Sequence, residues 1–158
     1  MVFDGPKRSP LYLYNEKVFF RLGMRSFGGK PFDSETIETV ANIIKRYVSI
    51  CQNMEISKII MFGTSALREA SNSATLVDLI RKKTDIGVEV ISGEKEALYA
   101  AQGILLGFPN AEGVICDLGG NSVEFANICK NVVTECKSAL LGPLAIMKLG
   151  RKFENLDS

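Results

Sequence analysis

Apolar residues recur along the chain with two periods, one typical of helices and one typical of strands. After Asp33 and Ser34, either of which suits a helix N-cap, apolar residues recur at helical spacing as far as Cys51. Three more segments have helical patterns, namely 64–70, 74–83 and 94–106. Six short segments have strand patterns, namely 11–22, 56–62, 88–91, 114–117, 122–128 and 132–139. The sequence therefore predicts an α/β protein.

The helix predicted over 94–106 has one apolar face and one face of small residues. The apolar stripe, which we expect to face the core, consists of Ala97, Ala101, Ile104, Leu105 and Phe108. The opposite row begins with Glu96 and continues with Ala100, Gly103 and Gly107. A ligand or a second domain can therefore approach that row closely.

The pattern changes near Asn110, where helices give way to consecutive strands. The last two strands are separated by Lys130-Asn131, which predicts a two-residue hairpin turn. We place a domain boundary near Asn110. Residues 1–110 are predicted to form a first α/β lobe, and residues 111–158 the start of a second α/β lobe.

The composition excludes several classes of function. The 158 residues carry 19 Lys plus Arg against 18 Asp plus Glu, so the excess of positive charge typical of nucleic-acid binding is missing. No histidine occurs, which excludes a Ser-His-Asp triad, a histidine-ligated metal and imidazole acid–base chemistry. No apolar run is long enough to span a bilayer, so no membrane partner is expected. Catalysis must therefore use carboxylates, hydroxyls, backbone amides, Lys or Arg.

Cysteine usage indicates the compartment. Cys51, Cys116, Cys129 and Cys136 form no Cys-x-x-Cys pair, so a zinc site is not expected. Their mainly apolar surroundings predict buried free thiols, which suit a reducing compartment. The N-terminus has no signal-peptide pattern. We therefore expect a cytoplasmic protein.

The strongest local signal is a run that reads Asp-Leu-Gly-Gly-Asn-Ser-Val-Glu. A buried strand delivers Asp117 to a turn in which Gly119 and Gly120 can take positive φ and aim backbone N–H groups at an anion. Ser122 adds a hydroxyl donor, and Glu124 can join Asp117 in holding Mg²⁺ or its water beside a phosphate. The alternative, which the residues alone leave open, is an ordinary hairpin bend that needs glycines.

Two further residues are candidates for phosphate chemistry. Glu96 lies in the first turn of its helix, where a carboxylate can activate water for attack on a terminal phosphoryl group. Arg68 follows a predicted strand and can clamp a phosphate with two N–H groups. The alternatives are a carboxylate that only stabilises a helix N-terminus, and a surface arginine paired with an acid such as Glu69.

Three segments, taken in order, resemble the exopolyphosphatase/guanosine-pentaphosphate phosphatase family. They are Gly-Thr-Ser-Ala-Leu-Arg-Glu-Ala-Ser-Asn at 63–72, Val-Ile-Ser-Gly-Glu-Lys-Glu-Ala at 90–97 and Asp-Leu-Gly-Gly-Asn-Ser-Val-Glu at 117–124. Each is weak alone, but the three together are a specific signal, and the resemblance covers nearly the whole chain. It implies an actin-like ATPase, ribonuclease-H-like fold of two α/β lobes with the substrate between them.

The resemblance also implies an activity and a role for each motif residue. Family members remove terminal phosphate from linear polyphosphate or from guanosine pentaphosphate, using Mg²⁺. By match to the motifs, Glu96 would be the base that activates water, and Arg68 would bind the phosphate tail. Gly119, Gly120 and Ser122 would bind the phosphate, and Asp117 and Glu124 would bind the metal.

This chain departs from the family pattern in three places. Asn121 and Val123 stand where the last motif has a glycine and a threonine, and Lys95 stands where an acid is common. We expect Asn121 to tolerate a left-handed backbone and so preserve the turn. The third departure is the family's opening Asp-x-Gly-Ser-Asn-Ser turn, which this chain lacks, and Met1–Asp4 resembles the end of the strand that follows it.

We therefore expect this chain to belong to a class of phosphoanhydride hydrolases. We expect it to be weakly active or inactive by itself. One alternative is a non-catalytic module that binds polyphosphate or nucleotide, or that assembles as a homodimer or with the remainder of a longer protein. Another is an ATP-using relative of the same fold.

Overall fold

The computed structural model describes residues 1–5 and 10–147, which fall into two compact units. One unit comprises residues 22–91, and the other comprises residues 1–21 together with the chain from residue 92 onward. The boundaries between the two units fall after residues 21 and 91 and not near residue 110, where the sequence predicted one. The reason is that the helix before residue 110 packs on the sheet after it. The lobe boundary itself stays a prediction, and the part of the predicted second lobe after residue 147 lies outside the described residues.

The chain contains both helices and strands, as predicted for an α/β protein. In chain order they are strands β1 (Val2–Phe3) and β2 (Tyr12–Tyr14), helices α1 (Leu22–Ser26) and α2 (Ser34–Asn53), strand β3 (Met61–Gly63), helices α3 (Ser65–Glu69) and α4 (Ser73–Thr84), strand β4 (Val88–Val90), helix α5 (Gly93–Gly107), and strands β5 (Gly113–Leu118), β6 (Val123–Cys129) and β7 (Val132–Ala139). Residues 143–147 are also helical.

The unit 22–91 is organised around helices α2 and α4. Asp33 is the N-cap of α2, as predicted, and its carboxylate accepts a hydrogen bond from the Thr36 N–H at 2.6 Å. The two helices pack together, and β3 and β4 pair in parallel. The buried core consists of Phe32, Ile37, Ala41, Ala70, Leu76 and Ile80.

The other unit contains an antiparallel sheet of three strands, β5-β6-β7, with helix α5 packed on one face. Ala97 and Ala101 of the helix pack in one cluster with Ala126 and Ile128 of the sheet, and small side chains at these positions allow a close approach. The predicted core-facing residues Ile104 and Phe108 are instead exposed. Ile104 lies on the neighbouring row of the helix, beside the row of alanines that contacts the sheet, and Phe108 lies just after the end of α5.

Strands β6 and β7 form the predicted hairpin, with one irregularity. The turn residues Lys130 and Asn131 have φ values of 49° and 63°, as a type I′ turn requires. The register then shifts, because Ile128 pairs with Val133 whereas Asn127 pairs with residue 135. Residue 134 is therefore the extra residue of a β-bulge in β7.

Some local predictions are wrong. The strand predicted over 11–22 is limited to β2, and Leu22 begins a helix instead, because a short apolar run does not distinguish a strand from a helix. The strand predicted over 56–62 is reduced to β3. All four cysteines are free, but Cys116 and Cys129 are exposed rather than buried. None of the described helices is long and apolar enough to cross a membrane.

Candidate active site

Strand pairing brings the two predicted metal-side acids together at the base of the glycine turn. Asp117 on β5 and Glu124 on β6 are directly opposed cross-strand partners, so their side chains lie on the same face of the sheet. Asp117 is exposed, whereas Glu124 is only 1% exposed. The pair therefore combines one surface carboxylate with one buried carboxylate.

The glycine turn does not have the backbone conformation predicted from the sequence. Gly119, Gly120 and Asn121 are not among the described residues with positive φ. The turn closes through a hydrogen bond from Gly119 N–H to the carbonyl oxygen of Ser122 at 3.0 Å. A Cβ atom added at Gly119 would lie 3.3 Å from that same oxygen. Glycine is therefore favoured at position 119 by close approach and not by a left-handed backbone.

A segment that the sequence analysis missed braces this turn. Leu144 N–H donates to the carbonyl oxygen of Gly120, and Gly142 N–H donates to that of Asn121, each at 3.0 Å. In a planar trans peptide, the C=O and the N–H that follows it point in opposite directions. The N–H groups of Asn121 and Ser122 therefore point away from the brace. Adjacent amides that point to one side are a feature of anion-binding turns.

Gly142 is the residue that allows the brace to approach. A Cβ atom at this position would lie 2.5 Å from both the carbonyl carbon of Asn121 and the carbonyl oxygen of Gly120, a distance that real Cβ contacts do not show. The available sequence signal was the pair Gly142-Pro143, which marks a turn but does not indicate what the turn contacts.

The buried carboxylate of Glu124 has defined surroundings. Ser138, its cross-strand partner on β7, donates a hydrogen bond from Oγ to Glu124 Oε1 at 2.8 Å. The other oxygen, Oε2, lies toward the glycine turn, 4.0 Å from the position of a Cβ on Gly119. Ser138 is a second residue that the sequence analysis missed.

Ser122, the predicted hydroxyl donor, is buried inside the turn with Asn121, and each is 1% exposed. Of the four turn residues 119–122 only Gly120 is exposed, because the 1% values for Asn121 and Ser122 include their backbone as well as their side chains. The roles of Gly119, Gly120 and Ser122 in phosphate binding stay predictions.

Helix α5 carries the predicted base, Glu96, in its first turn. Ser92 caps the helix by accepting a hydrogen bond from Lys95 N–H at 3.2 Å, and Glu96 N–H donates to the carbonyl oxygen of Ser92 at 3.0 Å. The Glu96 side chain is half-buried. A capped first turn fixes the helix start, although the catalytic role of Glu96 stays a prediction.

The first turn of α5 lies beside the strand that carries Ser138. Burial raises the pKa of the Cys136 thiol, and the nearby negative charge of Glu94 raises it further. Cys136 precedes Ser138 by two residues, so both side chains lie on the same face of β7. The start of α5 and the acid pair of the turn therefore belong to neighbouring parts of one face of the sheet.

Arg68 belongs to the other unit, 22–91. Its guanidinium donates a hydrogen bond to the carbonyl oxygen of Ile91 at 2.8 Å, and Ile91 N–H donates to that of Gly63 at 3.0 Å. Arg68 thus ties helix α3 to the residue that follows β4. Its predicted contact with a phosphate tail stays a prediction.

The acid pair fits a metal that is shared with a substrate. Over residues 1–5 and 10–147, no group of three or more Cys, Asp or Glu side chains is arranged to hold a metal ion. Mg²⁺ in phosphoryl-transfer sites usually keeps several waters and uses one or two carboxylates together with substrate phosphates. Asp117 and Glu124 provide the two carboxylates that a site of this kind needs.

Three comparisons with known proteins, by family model, by sequence and by structure, indicate the same family. A family model described as the Ppx/GppA phosphatase family matches residues 2–154. Exopolyphosphatase 1 from Mycobacterium leprae is 29% identical over 146 residues, which make up 91% of this chain and 42% of that protein. A crystal structure of an exopolyphosphatase from Cytophaga hutchinsonii has a TM-score of 0.78 and 31% identity, covering 89% of this chain and 46% of the other.

A second structural relative is the Ppx/GppA family member from Aquifex aeolicus, with a TM-score of 0.69 and 25% identity, covering 84% of this chain and 42% of the other. The chain thus spans less than half the length of these relatives. Ppx/GppA structures have the actin-like ATPase fold, so the predicted fold class is confirmed. Because the family model matches nearly every residue and the structures share the fold, this chain belongs to the Ppx/GppA phosphatase family.

Proposed function

We propose that this chain takes part in releasing terminal phosphate from polyphosphate or guanosine pentaphosphate, with Mg²⁺, in the cytoplasm. The family supports a phosphatase that acts on phosphate chains. The observation that carries the proposal is the cross-strand pairing of Asp117 with Glu124 at the base of the braced glycine turn, where Glu124 Oε2 lies toward Gly119.

The turn supplies the electrostatic part of the proposed reaction. Backbone N–H groups of the turn, with the Ser122 hydroxyl, bind oxygens of the terminal phosphoryl group, and Gly119 and Gly120 keep side chains out of their way. Binding of the phosphate tail by Arg68 is the role that the family motif implies for this residue. Phosphoryl transfer depends mainly on such preorganised donors, because negative charge is spread over the transferred group.

Glu96 supplies the base. It accepts a proton from a water molecule as the water oxygen attacks the terminal phosphorus. The phosphoanhydride P–O bond breaks, orthophosphate is released, and the remaining chain is one phosphate shorter. Mg²⁺, when bound by Asp117 and Glu124, would neutralise charge on the phosphate oxygens.

The first prediction concerns this base. Replacing Glu96 by Gln keeps the size of the side chain but removes its ability to accept the proton, so we expect phosphate release to fall about 10²–10⁴-fold. The assay measures orthophosphate released from polyphosphate in the presence of Mg²⁺. The matched control is Glu94→Gln, an exposed acid in the same turn of α5, which should retain near wild-type release.

Polyphosphate binding is measured in parallel on the same three proteins. Equal release by wild type and Glu96→Gln would remove Glu96 from the mechanism. Equal losses in both variants would indicate a general effect of charge at the start of α5. Binding without release by the wild type would favour the non-catalytic alternative for this chain.

A further inference from the structure

We infer that Ser138 positions Glu124 for a divalent cation, and that the bulge at Thr134 selects Ser138 instead of Lys137 for this place. The inference rests on the proposed metal role of Glu124 and deepens it. It assigns a purpose to an irregular strand that the reaction scheme does not otherwise use.

The register of the hairpin carries the first step. From the turn, Cys129 pairs with Val132 and Ile128 with Val133. Continued without interruption, this register would place Lys137 opposite Glu124. The bulge shifts the pairing by one residue, and Ser138 takes that position.

The bulge is held by specific hydrogen bonds. Asn127 Nδ2 donates to Thr134 Oγ1 at 2.9 Å, and Thr134 Oγ1 donates to the carbonyl oxygen of Asn127 at 3.3 Å. A one-residue shift also moves every following side chain to the opposite face of the sheet. Lys137 accordingly lies opposite Phe125, and its ammonium pairs with Glu135 at 2.9 Å on the exposed surface.

The chemical difference between the two registers is large. A lysine opposite Glu124 would form a buried ion pair and occupy the carboxylate permanently. A serine hydroxyl fixes the orientation of Oε1 with one neutral hydrogen bond and leaves the negative charge in place. Oε2 then keeps its direction toward the glycine turn, where a cation shared with phosphate would lie.

The second prediction uses the hydroxyl itself. Ser138→Thr keeps a hydroxyl and Ser138→Val replaces it by a methyl, while both branched side chains suit a strand. The binding of Mn²⁺ alone, as a paramagnetic substitute for Mg²⁺, is followed by electron paramagnetic resonance. We expect Val to weaken Mn²⁺ binding about 10–100-fold, as loss of a hydrogen bond to a metal ligand typically does. Thr should stay close to wild type.

Two more variants separate this inference from the proposed function. Ser138→Lys restores the charge that the bulge excludes and should abolish Mn²⁺ binding, and Glu124→Gln should do the same. Thermal unfolding shows whether each variant is folded, and the Thr and Val pair decides if the Lys variant is not. Equal Mn²⁺ affinity for the Thr and Val variants overturns the role of Ser138. If only Glu124→Gln then loses Mn²⁺ binding, the proposed metal role of Glu124 still stands. Mn²⁺ binding that survives Glu124→Gln, or is absent in the wild type, overturns both.

Discussion

The chain contains two Gly-Gly pairs, and they require glycine for different physical reasons. At Gly28-Gly29 both residues have positive φ, 74° and 77°, and a Cβ at Gly29 would meet no atom closer than 3.9 Å. At Gly119-Gly120 the backbone is not left-handed, and a Cβ at Gly119 would crowd the carbonyl oxygen of Ser122 at 3.3 Å. The first pair needs conformational freedom. In the second pair Gly119 needs space, whereas a Cβ at Gly120 would make an ordinary contact with Leu144 Cδ1 at 3.5 Å.

This difference bears on how a glycine-rich turn is interpreted. A turn of the first kind can lie anywhere that a chain must reverse, and it implies no ligand. In the second turn, crowding comes from its own carbonyls and from the brace at Gly142, which together direct the amides of Asn121 and Ser122 to one side. Phosphate binding at this turn stays a prediction, which depends on the arrangement of the peptide groups and not on the number of glycines.

The largest effect on stability is expected at Gly142, which tests whether the second turn depends on close approach. In Gly142→Ala the added Cβ would meet backbone atoms of Gly120 and Asn121 at 2.5 Å, and backbone cannot move aside as a flexible side chain can. We expect a loss of about 1–3 kcal/mol or more in the free energy of unfolding, measured with urea.

The control is Gly103→Ala, in the interior of α5 with no atom within 4 Å of the added Cβ. This variant should be stabilised by up to about 1 kcal/mol, because alanine favours a helix. If Gly142→Ala is as stable as wild type, the brace does not constrain the turn.

An intermediate effect is expected at Gly29, which distinguishes the two pairs directly. Gly29→Ala should lose about 1–2 kcal/mol because of its left-handed backbone, and Gly29→Asn should lose less, because Asn tolerates that conformation. At Gly119, Asn should be no better than Ala, since its larger side chain must occupy the same crowded space. The same order of Ala and Asn at both positions in urea unfolding would contradict the comparison.

The smallest effect is expected at Asp33, the acid that follows the first pair. Hydrogen bonds from Thr36, backbone first and then side chain, lower the Asp33 pKa from 3.8, with a smaller contribution from the charge of Arg25. The resulting stability is present above pH 3.8 and is lost as the pH falls through the lower, folded pKa.

Asp33→Asn keeps a capping oxygen without the charge, so it should remove this part of the acid sensitivity while leaving α2 intact. Unfolding midpoints in urea, compared at pH 6 and pH 3, measure the effect. A wild-type and a variant curve with the same pH dependence would show that the Asp33 charge contributes nothing.

Local signals predicted most of the fold, and contacts between distant segments account for what they missed. The Asp33 cap and the Lys130-Asn131 turn were identified because the residues that make them are adjacent in the chain. The conformation of Gly119 was not predicted correctly. A glycine in a sequence does not reveal whether the position needs a positive φ or close approach by a neighbouring atom. The contact of Gly142 with the turn spans about twenty residues and has no periodic signature, so it required coordinates.

The candidate site shows the same division. The pairing of Asp117 with Glu124 follows from a short turn between two predicted strands, so it was accessible from the sequence. The contact of Ser138 with Glu124 was not, since an uninterrupted hairpin would have given Lys137. The arrangement of Arg68 with Glu96 was inferred from motif order alone and stays a prediction.

The bulge in β7 makes the length of one short stretch matter more than its composition. Between the Lys130-Asn131 turn and Ser138, many exchanges of one side chain for another would leave the strand as it is. Loss or gain of a single codon in that stretch would change which side chain meets Glu124, even though every residue named in the catalytic scheme remained in the gene. Related sequences aligned only by their motifs would hide such a change, whereas counting the residues from the turn to the serine would reveal it.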